Sequence, residues 1–231
     1  MTFDTLVLHE GIQAAVAMVR NVYGNRESPL PSLFLYGPEG TGKTHIITAV
    51  AALLKNRSFS IHTVMEMVVP GAFPHNRSTL KDLVLMIDKE LSKMCCVVFD
   101  DIDVIQNQDQ TDLWNLFNKM DRIGAPILLA AHAPAEEIFP HNAHLRSRIN
   151  SGLVFHLDPP QDQDRILILD KMAKDRSIRI PQEISNYLVT RKTRNIKELA
   201  AVLEILDQTS LELKRRVTLP LIKMLEAEGK I

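Results

Sequence analysis

Gly37-Pro38-Glu39-Gly40-Thr41-Gly42-Lys43-Thr44 fits G-x-x-x-x-G-K-[ST], the pattern of a loop that cradles phosphates. Its flanks restrict the fold more than the match does. Leu33-Phe34-Leu35-Tyr36, just before it, is a short apolar run that reads as a buried strand. His45 to Leu54, just after it, carries Ile46, Ile47, Val50, Leu53 and Leu54 at helical spacing. Strand, glycine loop and helix in that order call for an α/β frame. The glycines let the backbone curl so that N–H groups face a phosphate, and the helix N-terminus adds partial positive charge. On this reading Gly37, Pro38, Gly40, Thr41 and Gly42 line the phosphates. Lys43 reaches the β- and γ-phosphates, and the Thr44 hydroxyl ligates Mg²⁺. The bland alternative is an ordinary glycine-rich turn.

The rest of the chain supplies the frame. Phe3, Leu6, Val7 and Leu8 form an apolar patch, and Ile12 to Val22 reads as an amphipathic helix. Residues 23–31 are a polar, proline-containing link. Strands are expected over Phe59 to Met65, Cys95 to Phe99, Pro126 to Ala131 and Val154 to Leu157, with helices over Leu80 to Leu91 and Asp112 to Met120. This alternation predicts a parallel sheet with helices on both faces. Pro159-Pro160 marks a boundary, after which strands stop. Arg165 to Lys174, Glu183 to Thr190, Ile196 to Asp207 and Leu219 to Glu226 read as helices. The expected organisation is an α/β nucleotide-binding domain over 1–158 and a helical lid over 159–231.

A phosphate loop needs an acidic partner at a neighbouring strand end. Val97-Val98-Phe99-Asp100-Asp101 provides it, with Asp100 placed to hold Mg²⁺ and Asp101 to orient or activate water. A turn or helix cap is the default for an isolated Asp-Asp pair. Arg146 and Arg148 precede the last strand; a guanidinium there suits phosphate recognition in cis or in trans, against a solvated surface pair. Lys197 opens a lid helix, where a cation reaches a γ-phosphate or stays an exposed charge. His132 ends a strand, to sense phosphate or satisfy a loop. His141 and His144 lack the companions of a metal site, and Lys214-Arg215-Arg216 reads as a solvated helix end.

A net charge of -1 gives no global pull toward nucleic acid or membrane, so DNA contact is expected to be weak or indirect. No apolar stretch approaches the ~18 residues of a membrane span. The only two cysteines, Cys95 and Cys96, are adjacent in a strand and therefore point to opposite faces; they read as buried thiols. With no disulfide framework and no signal peptide, the expected location is the cytoplasm.

Taken together these stretches resemble the DnaA/Hda family of AAA+ ATPases. The resemblance is carried by Thr2 to Val7, Gly42-Lys43-Thr44-His45, Phe99-Asp100-Asp101-Ile102, Leu145-Arg146-Ser147-Arg148-Ile149 with Gly152-Leu153, Pro159-Pro160 with Arg165, and Asn195-Ile196-Lys197-Glu198-Leu199. It implies a five-stranded parallel P-loop sheet followed by an all-helical lid. It implies bound ATP or ADP with Mg²⁺, Leu6 and Val7 near adenine and His45 beside the loop. It also implies Arg148 as the arginine that reaches a neighbouring subunit's ATP, and Lys197 in the lid's sensor position. Two residues depart from the family pattern. His132 stands where an acidic residue is usual, and Lys197 where arginine is usual, so the bidentate fork is lost.

The expected function is regulation of chromosomal replication initiation. The partner would be the initiator DnaA or another AAA+ subunit, and ATP hydrolysis by the chain alone would be weak. A homo-oligomer also remains open. The initiator's C-terminal DNA-binding domain is absent from the sequence. No Gln-Leu-rich peptide precedes Phe3, so sliding-clamp binding lacks support. Two alternatives stand beside this expectation. One is a helicase-loader or transposition-type AAA+ ATPase acting on single-stranded DNA; the other is a non-hydrolysing ADP-bound adaptor.

Overall fold

Five short strands order the chain. They are β1 (Leu33–Tyr36), β2 (Ser60–Thr63), β3 (Cys95–Phe99), β4 (Ile127–Ala131) and β5 (Leu153–His156). In the computed structural model, which describes residues 2–25, 30–63, 95–105 and 109–231, they form one sheet in the order β2-β3-β4-β1-β5. Every pairing is parallel, with Leu33 opposite both Leu128 and Leu153 and Val97 opposite Ile127. Parallel neighbours require crossovers, and helices supply them. α1 (Glu10–Gly24) precedes the first strand; α2 (Lys43–Asn56) follows β1, α3 (Gln110–Ile123) lies between β3 and β4, and α4 (Ala135–Ile138) and α5 (Ala143–Ile149) lie between β4 and β5.

Side chains alternate across the sheet, so each strand feeds two cores. Phe34, Val97, Phe99, Leu129 and Ala131 pack with Leu113, Leu116, Phe117 and Met120 of α3 and Leu145 and Ile149 of α5. Leu33, Leu35, Val98, Leu128 and Ala130 pack with α1 and α2 on the other face. Cys95 joins the first core and Cys96 the second, both as free buried thiols. Burial pushes both thiols above their ordinary range, which makes them poor nucleophiles.

The chain packs as two units, Met1–Leu6 with Gly11–Asp158, and Val7–Glu10 with Pro159–Ile231. The second contains α6 (Asp162–Asp175), α7 (Gln182–Tyr187), α8 (Ile196–Leu213) and α9 (Leu219–Ala227). Leu169, Ile184, Leu188, Leu199, Leu203, Leu206, Ile222 and Leu225 form its core. The helix expected over Glu183 to Thr190 widens after Tyr187 into a π turn, Leu188–Lys192. The strand expected to run to Met65 is described to Thr63, and the helix expected over Leu80 to Leu91 lies outside the described residues. No helix among the described residues is long and apolar enough to cross a membrane.

The turn out of β1 is fixed by a close approach. Gly37 has φ 145°, and its N–H donates to the Ala131 carbonyl at 3.2 Å. A Cβ there would meet the Leu157 carbonyl oxygen at 2.3 Å, inside van der Waals contact. Gly124 also has positive φ, 67°, but open space around it. Gly37→Ala should therefore destabilise the fold by about 3 kcal/mol, and Gly124→Ala by about 1 kcal/mol. Urea denaturation of the two variants checks the order; equal losses would contradict it.

Candidate functional site

The phosphate-loop sequence sits where open α/β sheets put ligands, beyond the carboxyl end of β1 and beside the end of β3. Gly40 and Gly42 have positive φ, 78° and 95°, which curls the loop into the N-terminus of α2. Thr41 Oγ1 donates to the Pro38 carbonyl at 3.0 Å and braces the turn. The Lys43 ammonium folds back onto the loop, donating to the carbonyls of Gly37 at 2.6 Å and Pro38 at 2.8 Å. Burial holds its pKa below the usual lysine range, against the opposing pull of Asp101, Asp100, Asp103 and Glu39. A buried ammonium on neutral carbonyls is an incompletely compensated charge, and an anion in the loop would compensate it.

Asp100 follows β3 and is 8% exposed. Its Oδ2 accepts from the Thr44 hydroxyl at 2.6 Å. Its Oδ1 is the one buried side-chain polar atom without a hydrogen-bond partner among the described residues. Desolvation by that burial raises the carboxyl pKa, with the Thr44 bond and Lys43 pulling the other way. An orphaned carboxylate oxygen beside a hydroxyl is a hard-oxygen donor set of the kind Mg²⁺ takes, so the residues fit the ion.

Asp101 leaves the strand in the left-handed region at φ 57° and opens a 3₁₀ turn, Ile102–Val104, without capping it through its side chain. Asp103, in that turn, accepts the His132 backbone N–H at 2.9 and 3.1 Å and lies 3.3 Å from His132 Nδ1. The same Nδ1 is 3.7 Å from Asp101. The imidazole thus stands between two carboxylates, and donor atoms of the three side chains lie within 4.8 Å of one another. Asp103 escaped the sequence reading. Its signal was a third carboxylate two positions after Asp101, and only the β3–β4 pairing puts it against His132.

Other expected residues divide. Leu6 stands near the loop, its Cδ1 3.8 Å from where a Gly42 Cβ would be, whereas Val7 packs in the second unit. His45 turns its imidazole to the N-terminal segment, with Nε2 2.9 Å from Thr5 Oγ1. The two arginines of α5 have separate roles. Arg146 donates to the carbonyls of Phe139 at 2.8 Å and Pro140 at 2.6 Å, where it ties down the chain between α4 and α5. Arg148 is half-exposed and pairs with Asp121 at 3.2 Å, a surface bridge of small energetic weight. It shares a shallow groove with Ser32, Ala125 and Gly152, residues just before β1, β4 and β5. The phosphate loop leaves the other end of β1, so roughly 13 Å of strand separates the two.

In the second unit, Asn195 caps α8 by accepting from Lys197 N at 2.8 Å and Glu198 N at 3.3 Å. Lys197 is exposed in the first helical turn, where the helix dipole disfavours a cation. Arg165 and Arg194 both bind Asp162, at 2.7 and 2.9 Å, and Arg165 Nε donates to the Arg194 carbonyl at 3.0 Å. Their hydrogen bonds, Arg194 foremost, hold the Asp162 carboxyl below its ordinary range.

Residues 1–156 match the family model described as the bacterial DnaA ATPase domain, and residues 162–225 match the lid domain of Hda. The chain belongs to the bacterial DnaA ATPase-domain family. Within it, the chromosomal replication initiator protein DnaA of Thermus thermophilus is 29% identical over 209 residues, covering 87% of this chain and 47% of that protein. The chain spans about half the length of the curated DnaA relatives it matches. Domain III of the Thermotoga maritima initiator DnaA superposes with a TM-score of 0.78 at 22% identity, covering 95% of this chain and 92% of that one. AMPPCP-bound DnaA from Aquifex aeolicus superposes with a TM-score of 0.68 at 20% identity, covering 91% and 66%. These likenesses identify an AAA+ DnaA-type fold: a five-stranded parallel sheet followed by a helical lid.

The buried, half-orphaned Asp100 sets a pH-dependent stability. A carboxyl whose folded pKa is raised favours folding while protonated and opposes it once ionised. In Mg²⁺- and nucleotide-free protein, Asp100→Asn should raise stability at pH 7 by on the order of 1 kcal/mol. The gain should shrink as pH falls toward the ordinary carboxylate range near ~4. Thermal melts across that range check it, and a lower melting temperature for the variant at pH 7 would contradict it.

Proposed function

We propose that this DnaA-family chain is a nucleotide-loaded AAA+ regulator of replication initiation. Residues 1–158 act as the domain that holds ATP or ADP with Mg²⁺, and residues 159–231 act as its lid. Arg148 acts in trans on the nucleotide of a neighbouring AAA+ subunit, foremost an ATP-loaded initiator DnaA. The observation that carries this reading is the position of the half-exposed Arg148 at the end of the sheet opposite the phosphate loop, beyond reach of the chain's own loop. A phosphate that meets Arg148 therefore belongs to another molecule.

Each remaining residue takes a part. The N–H groups of residues 39–44 and the N-terminus of α2 hold the phosphates. Lys43 exchanges its two carbonyl partners for phosphate oxygens. Thr44 and Asp100 Oδ1 would hold Mg²⁺, which when bound neutralises charge building on the transferred phosphoryl group. Asp101, half-exposed, accepts a proton from a water in line with that group. DnaA from Aquifex aeolicus, of the same fold, is described bound to AMPPCP, which supports a nucleotide ligand here. No membrane partner enters this account.

A second reading, a non-hydrolysing ADP-bound adaptor, is favoured by His132. Its Nδ1 stands 3.7 Å from Asp101, so the carboxylate that would orient water has an imidazole beside it. Nucleotide extracted from freshly purified protein separates the adaptor from a turnover enzyme: stoichiometric ADP that does not exchange supports the adaptor, and ATP turnover that Asp101→Asn abolishes supports the enzyme.

The regulator reading is tested on purified, ATP-loaded initiator, with conversion to ADP followed after addition of this chain. Acceleration should depend on Arg148, whose replacement by Ala should lower the stimulated rate by on the order of 10³-fold while nucleotide binding persists. No acceleration by the wild-type chain, or full acceleration by the variant, would contradict it. Lys43→Ala should remove measurable ATP binding, as equilibrium dialysis would report.

A further inference from the structure

The imidazole of His45 joins two parts of the chain that meet at the phosphate loop. Its Nε2 lies 2.9 Å from Thr5 Oγ1 and 3.1 Å from the Thr2 carbonyl oxygen. The Thr5 hydroxyl donates to that same carbonyl at 2.8 Å and accepts the Thr2 N–H at 3.1 Å. With the hydroxyl proton already placed, both groups facing Nε2 are acceptors, so the network assigns Nε2 as the donor. His45 is the third residue of α2, next to Thr44. The bond therefore ties the start of the loop's own helix to residues 2–6.

That segment ends at the loop. Phe3 is buried, with the Arg20 guanidinium 5.6 Å from its ring centre, and a 3₁₀ turn over Phe3–Thr5 carries the chain to Leu6. Leu6 stands against Gly42, the last glycine before Lys43. A nucleotide with its phosphates on residues 38–44 must lay its sugar and base on a surface beside the loop, and a base seeks an apolar wall. Leu6 supplies such a wall, and the His45 bond holds the segment that presents it.

We propose, given the nucleotide reading of the loop, that His45 is a positioning residue for the base: it fixes Leu6 through Thr5 and Thr2. Its contribution falls on the nucleoside half of the ligand and spares the phosphates. A histidine that only stabilised α2 or the loop would affect both halves alike.

Calorimetric titrations of the full chain with ADP and with inorganic pyrophosphate, both in Mg²⁺, separate these roles. His45→Ala should weaken ADP about 3- to 10-fold, the range of one lost hydrogen bond, and leave pyrophosphate affinity unchanged. His45→Gln keeps an N–H donor at similar reach and should restore most of the ADP affinity. Thr5→Val removes the hydroxyl that accepts from Nε2 and braces the Thr2 carbonyl; it should also weaken ADP and spare pyrophosphate, and the double variant should lose less than the sum of the two. Equal losses for ADP and pyrophosphate, or unchanged ADP affinity in His45→Ala, would overturn the proposal. A wild-type chain that binds neither ligand, or a Lys43→Ala variant that binds both, would overturn the nucleotide reading itself and this inference with it.

Discussion

Two opposite charges are buried together at the carboxyl edge of the sheet, and neither is fully satisfied by the protein alone. Lys43 rests on neutral carbonyls, and Asp100 keeps one oxygen without a partner. Leaving such groups partly unpaired costs stability that an apolar replacement would recover. The surrounding fold tolerates that cost because β1, β3 and β4 are buried on both faces and hold the strand ends rigidly. Gly37 lets the loop begin against the Leu157 carbonyl, and the loop then returns Lys43 over its own entrance. An anion with a divalent cation would satisfy both charges at once, which is the physical basis of the nucleotide reading.

The sheet also separates two chemistries. At one end stand the loop, Asp100, Asp101 and His132; at the other, Arg148 shares a groove with residues that precede the strands. On the proposed reading, such a chain receives help from a neighbouring subunit at one end and gives it at the other. Its weak surface bridge to Asp121 leaves Arg148 available at little energetic cost.

The frame was legible because its signals are local. Strands β1, β3 and β4 are uninterrupted apolar runs, and the phosphate loop declares its strand and helix through its flanks. The split of Cys95 and Cys96 between two cores follows from strand periodicity alone. What escaped depends on contacts between distant segments. Asp103 matters because β4 ends beside the turn after β3, so that His132 meets two carboxylates. Arg146 and Arg148 look alike in the sequence. Only the fold turns one onto the Phe139 and Pro140 carbonyls and leaves the other at the surface. The short helices α4 and α5 escaped because neither is long enough to show a period.

On the proposed reading, the buried Lys43 and the half-satisfied Asp100 form one Mg²⁺-nucleotide site. The most direct measurement is the affinity of the purified chain for ATP with and without Mg²⁺. One nucleotide per chain should bind saturably, and more tightly when Mg²⁺ is added. No saturable binding, or binding indifferent to Mg²⁺, would contradict it.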